Sequence, residues 1–181
     1  MANQDATFLN PDRIIQQINL QPGGQVADLG CGSGYMAFAA SRAVGPKGRV
    51  YAVDVQKTVL EQVKKEAQVA GITNIITMWS DLEILGATQI ATASLDAVLL
   101  VNILFLVANK TAVFAEAKRS LKKEGILLVV DWLPGQTGIG PAPQARVSRD
   151  RVLALAASAG FAEQASIDAG RYHFGLVLAQ Q

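Results

Sequence analysis

The sequence predicts an α/β domain built on a mainly parallel sheet with helices on both faces. Three observations carry that expectation. Short apolar runs alternate with amphipathic helical stretches along the chain, the pattern of a sheet buried on both sides. A glycine-rich turn follows the first apolar run, and an acidic residue ends the second. The last two apolar runs are joined only by Asp168-Ala169-Gly170-Arg171, which is too short for a parallel crossover and makes the closing pair antiparallel.

The elements follow in order. A first helix opens with Asn10 as cap and Pro11 in its first position, carries Ile14, Ile15 and Ile18 on one face, and stops at Pro22-Gly23-Gly24. Residues 26–29 form a short strand, and the Ala-rich stretch 35–44 a helix that ends near Gly45-Pro46. Residues 49–53 form the second strand. A helix over 56–70 places Val59, Leu60, Val63, Ala67 and Ala70 at helical spacing, with Gly71 just past its end. Strands are expected at 74–78, 95–101 and 125–130, with a helix at 110–121 between the last two. A Pro/Gly-rich loop spans 133–146, and Ser148 caps a helix that runs through Ala159 to Gly160. Residues 161–167 and 172–179 are the closing strands.

Composition narrows the function classes. The 181 residues suit one domain, and with 50% hydrophobic and 17% charged residues the chain is globular. A net charge of +1 gives no electrostatic pointer to nucleic acid. Cys31 is the single cysteine and His173 the single histidine, so an intrachain disulfide and a Cys-rich zinc site are excluded and no metal site is expected. No stretch matches a secretory leader, and the most apolar segment, 97–108, is interrupted by Asn102 and far short of the roughly 20 residues a spanning helix needs. A cytoplasmic protein is the expectation.

The chemistry concentrates in Asp28-Leu29-Gly30-Cys31-Gly32-Ser33-Gly34, between strand and helix. Glycines there let a ligand approach the backbone without a Cβ in the way. Asp54 ends the second strand, where a carboxylate, acceptor-only when ionised, suits the paired hydroxyls of a ribose. A dinucleotide fingerprint would require glycine at position 35, which is Tyr35. A carboxylate at Asp28 would repel a pyrophosphate and attract a cationic amine.

These residues resemble motif I of the class I S-adenosylmethionine-dependent methyltransferases. Arg49-Val50-Tyr51-Ala52-Val53-Asp54 is similar to that family's second strand with its ribose-binding acid, and Ser80-Asp81-Leu82 to its adenine-side segment. Leu95-Asp96-Ala97-Val98-Leu99-Leu100-Val101-Asn102 is similar to motif IV, and Leu121-Lys122-Lys123-Glu124-Gly125-Ile126-Leu127-Leu128-Val129-Val130-Asp131 to the turn and strand that follow. The likeness extends over roughly residues 8–179, and its general pattern is nearest to small-molecule enzymes of the ubiquinone/menaquinone-biosynthesis kind. It implies a Rossmann-like, doubly wound, seven-stranded sheet with an antiparallel last strand, one domain over 1–181, and an N-terminal helical segment (1–22) over the site.

The cofactor implied is S-adenosylmethionine, held by Asp28, Gly30, Cys31, Gly32, Gly34, Asp54, Val55, Ser80, Asp81, Leu82 and Asn102. The glycine-turn backbone and Asp28 would take the methionine part, Asp54 the ribose, Asp81 and Leu82 the adenine, and Asn102 the floor near the sulfonium. Asp81 also suits the cap of a following helix, and Cys31 suits packing rather than attack.

His173 is the candidate general base, its type matched to neutral pH but its setting that of a structural strand residue. Asp131, Trp132 and Arg146 are candidates for the acceptor side. The acceptor is expected to be a small molecule, in a site completed by post-strand loops, the N-terminal segment or a second subunit, which leaves a homodimer open. Ile103-Leu104-Phe105 after Asn102 departs from the Pro-Pro-aromatic run of enzymes that methylate amino groups of DNA bases and some protein amides. Rival readings are a nicotinamide-dependent oxidoreductase, an RNA or protein methyltransferase, and a non-catalytic cofactor-binding protein.

Overall fold

The structure is a computed structural model that describes residues 9–135 and 138–181. In chain order its elements are α1 (Pro11–Gln17), β1 (Gln25–Leu29), α2 (Tyr35–Val44), β2 (Arg49–Asp54), α3 (Lys57–Val69), β3 (Ile75–Trp79), β4 (Leu95–Val101), α4 (Lys110–Ser120), β5 (Leu121–Trp132), α5 (Arg149–Ser158), β6 (Phe161–Ile167) and β7 (His173–Gln180), with a 3₁₀ turn at Pro143–Ala145. Among the described residues, seven strands form one sheet in the order β3-β2-β1-β4-β5-β7-β6. The strands from β3 to β5 are parallel, and β7 runs antiparallel to both β5 and β6. The short 168–171 connection therefore does what its length requires.

Two apolar layers sandwich this sheet. Ile14, Ile15, Met36, Ala37, Leu60 and Val63 cover one face together with the Val26, Val50 and Leu99 side chains. Val113, Phe114, Ala117, Val152 and Ala156 cover the other against Ala27, Val98, Leu127 and Leu176. Strand β4 contributes to both layers, which is why its sequence is an apolar run and not an alternation. The edge strand β6 exposes Glu163, Gln164, Ala165 and Ser166, polar cover that discourages edge pairing.

Most boundaries match the sequence expectation to within a residue, with two larger differences. α1 ends at Gln17, ahead of Pro22-Gly23-Gly24, and β5 runs from Leu121, directly where α4 ends, to Trp132, and not over 125–130. The polar run Lys122-Lys123-Glu124 reads as a turn in isolation, but its backbone and charges have partners. Leu121 is in register with Leu95, Lys122 pairs with Asp96 at 2.6 Å, and the Gln180 amide donates to the carbonyls of Leu121 and Lys122.

Helix α1 starts as its sequence suggests, with the Asn10 side chain accepting the Arg13 N–H. It lies on the α2 face, where Asp12 pairs with Arg42. Gln17 exchanges hydrogen bonds with the backbone of Asp168. Residues 1–8, the start of the segment expected over the site, lie outside the described residues. Among the described residues no helix is long and apolar enough to cross a membrane. Strand order reverses between β1 and β4, and the crevice beyond the carboxyl ends of such a pair is where open α/β sheets bind ligands.

Candidate functional site

The chain leaves β1 at Leu29 and turns sharply. The N–H groups of Gly30 and Cys31 both donate to the Val53 carbonyl, at 2.8 and 2.9 Å, which hooks the turn to the end of β2. Gly30 has φ +80°, and a Cβ there would lie 2.5 Å from Ile103 Cδ1, so turn and β4 exit touch through a missing side chain. Gly32 has φ +48° with open space where its Cβ would be, leaving bare backbone toward the crevice. Gly34 opens α2 in the left-handed region, against Val63 and Phe38.

Asp54 completes the turn from the neighbouring strand. Its Oδ2 accepts the Gly32 N–H at 3.0 Å and its Oδ1 the Gln56 N–H at 2.9 Å. Each oxygen has a second lone pair to offer. Asp81 Oδ1 accepts the Glu83 N–H at 2.9 Å, so it caps a turn; no helix follows there. Asn102 stands at the exit of β4 with φ +55°, its N–H bonded to the Val130 carbonyl at 2.9 Å.

These groups surround one cavity of about 430 Å³. Gly30, Cys31, Gly32, Asp54, Val55, Ser80, Asp81, Leu82 and Asn102 all line it. Gln56, Glu83, Val101, Ile103, Leu106 and Val107 line it as well and were not anticipated. The spacing of Ile103, Leu106 and Val107 after Asn102 was the available signal for the last of these, since it is helical where a strand exit was expected. Among the described lining residues the charged side chains are Asp54, Asp81 and Glu83, and none is basic.

The other predicted residues fall elsewhere. Asp28 lies under the turn, 2% exposed and outside the cavity lining. Burial pushes its carboxyl up to about 7, with a smaller push from the Asp54 charge and a backbone hydrogen bond from Ala37 opposing. The acidic sign inferred for the pocket mouth thus resides in Asp54, Asp81 and Glu83. Gly34 is also outside the lining.

Cys31 is buried and its thiol is driven far above the ordinary range, chiefly by burial and then by the Asp28 and Asp54 charges. It is therefore a packed thiol and a poor nucleophile. His173 begins β7, 4% exposed, with its ring 4.2 Å from that of Trp132 and outside the cavity lining. Burial, followed by the Arg146 charge, lowers it to about 4, so it is neutral at pH 7.

Arg146 donates to the carbonyls of Leu133, Ile139 and Pro141 and lies over the Trp132 ring. Its donors organise the 133–146 loop. Asp131 is fully buried, and burial raises it to about 6. None of α1 lines the cavity.

Two features of the lining call for a ligand. Ser80 Oγ and Asn102 Oδ1 are buried atoms without a hydrogen-bond partner among the described residues, and both residues line the cavity. Such atoms are costly unless something supplies the missing contact. With the open backbone at Gly32 and the spare lone pairs of Asp54, this donor set fits a nucleoside with a cationic tail.

The sequence profile of the methyltransferase-domain family matches residues 20–145. The chain belongs to that family. The chain's fold is similar to that of an S-adenosylmethionine-dependent methyltransferase from Aquifex aeolicus, with a TM-score of 0.87, 24% identity, and coverage of 94% of this chain and 89% of that one. In sequence it is 28% identical over 138 residues to the nocamycin O-methyltransferase of Saccharothrix syringae, covering 74% of this chain and 44% of the relative. It is 39% identical over 71 residues to the aklanonic acid methyltransferase DauC of a Streptomyces species, covering 39% and 32%. The chain spans less than half the length of the curated relatives it matches. The cofactor of such methyltransferases is S-adenosylmethionine.

Proposed function

We propose that the protein transfers a methyl group from S-adenosylmethionine to a small acceptor that is neutral or cationic. The observation that carries this reading is the single cavity in which the glycine turn, Asp54, Ser80-Asp81-Leu82 and Asn102 meet at the reversal of strand order. In this reading Asp54 accepts both ribose hydroxyls, Asp81 and Leu82 flank the adenine, and the Gly30 and Gly32 backbone holds the methionine part. Asp28 lies buried beneath that end, and Asn102 forms the floor.

The cofactor, when bound, supplies an activated methyl on a positive sulfur: the S–CH₃ bond breaks as the acceptor–CH₃ bond forms, a neutral thioether leaves, and any acceptor proton goes to solvent or a base. The protein's share is orientation and exclusion of water. Val55, Leu82, Ile103, Leu106 and Val107 give the cavity its apolar wall. A lining with three carboxylates and no basic side chain disfavours phosphorylated and other anionic acceptors. The two relatives named above take their names from small-molecule substrates, which supports the same class. His173 keeps a place as proton acceptor only if an acceptor reaches past the cavity lining to Trp132.

Titration calorimetry with S-adenosylhomocysteine tests the reading, with tight binding expected for the wild type. Labelled cofactor offered to metabolite, RNA and protein fractions of a cell extract then assigns the acceptor, with label expected in the metabolite fraction. Label confined to RNA or protein would overturn the small-acceptor part. Undiminished turnover of His173→Ala at all pH values would remove the base.

A further inference from the structure

The segment between β3 and β4 carries Ser80, Asp81 and Leu82 into the cavity, yet little of its far side is buried. Leu82 and Ile90 sit in the core at either side, but Ile84 and Leu85 between them are each 59% exposed. Two carboxylates hold this middle part. Glu116, on α4 and itself fully buried, accepts the Gly86 N–H at 2.7 Å and the Thr88 hydroxyl. It is neutralised by Arg119 at 2.7 Å. Glu83 reaches the other end of the same helix, where its two oxygens accept the N–H groups of Ala108 and Asn109.

Those two amides sit just before the first turn of α4, where no intrahelical carbonyl is available to them and the helix dipole favours an anion. Asn109 caps the helix with its own side chain toward Ala112, so Glu83 serves donors that the local sequence leaves over.

The connection joins two stretches of the cavity lining. Glu83 belongs to the stretch that begins at Ser80, and Ala108 follows directly on Leu106 and Val107 of the other. We propose that Glu83 is a positioning residue for the adenosine end of the cofactor: by tying the Ser80–Glu83 wall to the start of α4, it fixes the gap into which the adenine fits. This rests on the cofactor reading given above. Glu83 acts through the two walls and needs no contact with the ligand. The Glu116 anchor holds the remote end of the segment, which leaves the Glu83 tie as the adjustable one.

A purely structural role and a positioning role differ in what they move. Ala108 and Asn109 are exposed, so water replaces the carboxylate when it is removed, and the melting temperature should change little. The gap, however, loses its constraint, and affinity should fall.

The experiment is calorimetry on the full chain with two probes, S-adenosylhomocysteine and 5′-methylthioadenosine, the second lacking the amino-acid tail. Glu83→Ala should weaken both by about tenfold and by the same factor, the size of loss expected for two charge-assisted hydrogen bonds to exposed donors. Glu83→Gln keeps the shape and one acceptor oxygen and should recover part of the loss; it also serves if the alanine variant folds poorly. Wild-type affinity for both probes in both variants would overturn the proposal. So would a loss confined to S-adenosylhomocysteine, because the effect would then lie at the methionine end. A wild-type protein that binds neither probe would instead bring down the cofactor reading on which the proposal stands.

Discussion

At the carboxyl ends of β1 to β4 the chain leaves a cavity, whereas at the ends of β5 and β7 it fills the equivalent space. The open half is made of backbone and carboxylates: the Gly30–Gly32 turn, Asp54 and Asp81. The filled half is a cluster in which Trp132 contacts both the His173 ring and the Arg146 guanidinium. Gly140 packs so closely on that ring that a Cβ would sit 2.6 Å from it. In the filled half Arg146 spends its donors on three carbonyls of its own loop. In the open half Ser80 Oγ and Asn102 Oδ1 wait for contacts the protein does not supply. Among the described residues the filled half has an orphan of its own in Asp131 Oδ2, but that carboxyl lies outside the cavity lining, whereas Ser80 and Asn102 belong to it.

The buried carboxylates repeat that contrast. Glu116 receives Gly86, Thr88 and two nitrogens of Arg119, and those donors hold it below the usual glutamate range although burial opposes them. Asp28, as deeply buried, has far less help and is pushed up to about 7. Burial alone does not decide the charge; the number of donors does.

The largest test breaks the satisfied network. Glu116→Ala leaves Arg119 without its partner and frees the 86–88 backbone, and should cost about 3 kcal/mol in urea unfolding. Next comes the open half: Asp54→Ala should lower S-adenosylhomocysteine affinity about 100-fold by calorimetry, since charge-assisted contacts to the ribose and to the Gly32 amide are lost together.

A third test uses pH. The raised Asp28 holds a proton in the folded state that the unfolded chain gives up earlier, so stability falls as pH rises from about 4 to 7. Asp28→Asn should reduce that decline, leaving the part that buried Asp131, raised to about 6, contributes below that pH. His173 has the opposite sign: its lowered value means the unfolded chain takes up the proton first, so its contribution is lost as pH falls from about 6.5 to 4. Chemical denaturation across that range should show His173→Gln losing this acid sensitivity.

In the filled half, Arg146→Ala should loosen the 133–146 loop, seen as faster amide exchange, at about 1 kcal/mol of stability and with cofactor affinity unchanged. Smallest of all, Arg13→Ala removes an ion pair with Asp168 whose side chains are 53% and 55% exposed. Its effect should stay within about 0.5 kcal/mol.

The same contrast explains what the sequence disclosed. The open half is local and periodic. The glycine turn, the acid at the end of β2 and the apolar run of β4 each announce themselves within a few residues, and the structure gathers Gly30, Gly32, Asp54, Ser80, Asp81, Leu82 and Asn102 around one space. Asp28 was legible as an acid in the motif, but its direction was not, because strand alternation turns it toward α2 and away from the crevice. The filled half depends on residues that meet only in three dimensions. Nothing near Arg146 in the sequence says that its donors go to Leu133, Ile139 and Pro141. Glu83 and Glu116 look like ordinary charged surface positions until Ala108, Asn109, Gly86 and Thr88 arrive from elsewhere in the chain. The early start of β5 was hidden for a like reason, since Lys122 reads as a turn residue without Asp96 in view.

Strand β7 lies between β5 and β6, although β6 precedes it in the chain. Its inner residues are buried from His173 to Leu178. β6 therefore has no seat in the sheet until the strand after it has been made. Pairing of β6 with β7 is a sequence-local contact with low loop-closure cost. Until β7 is seated, the hydrogen-bonding edge of β5 stands open, and an open edge is a place where a newly made chain can associate with its neighbours.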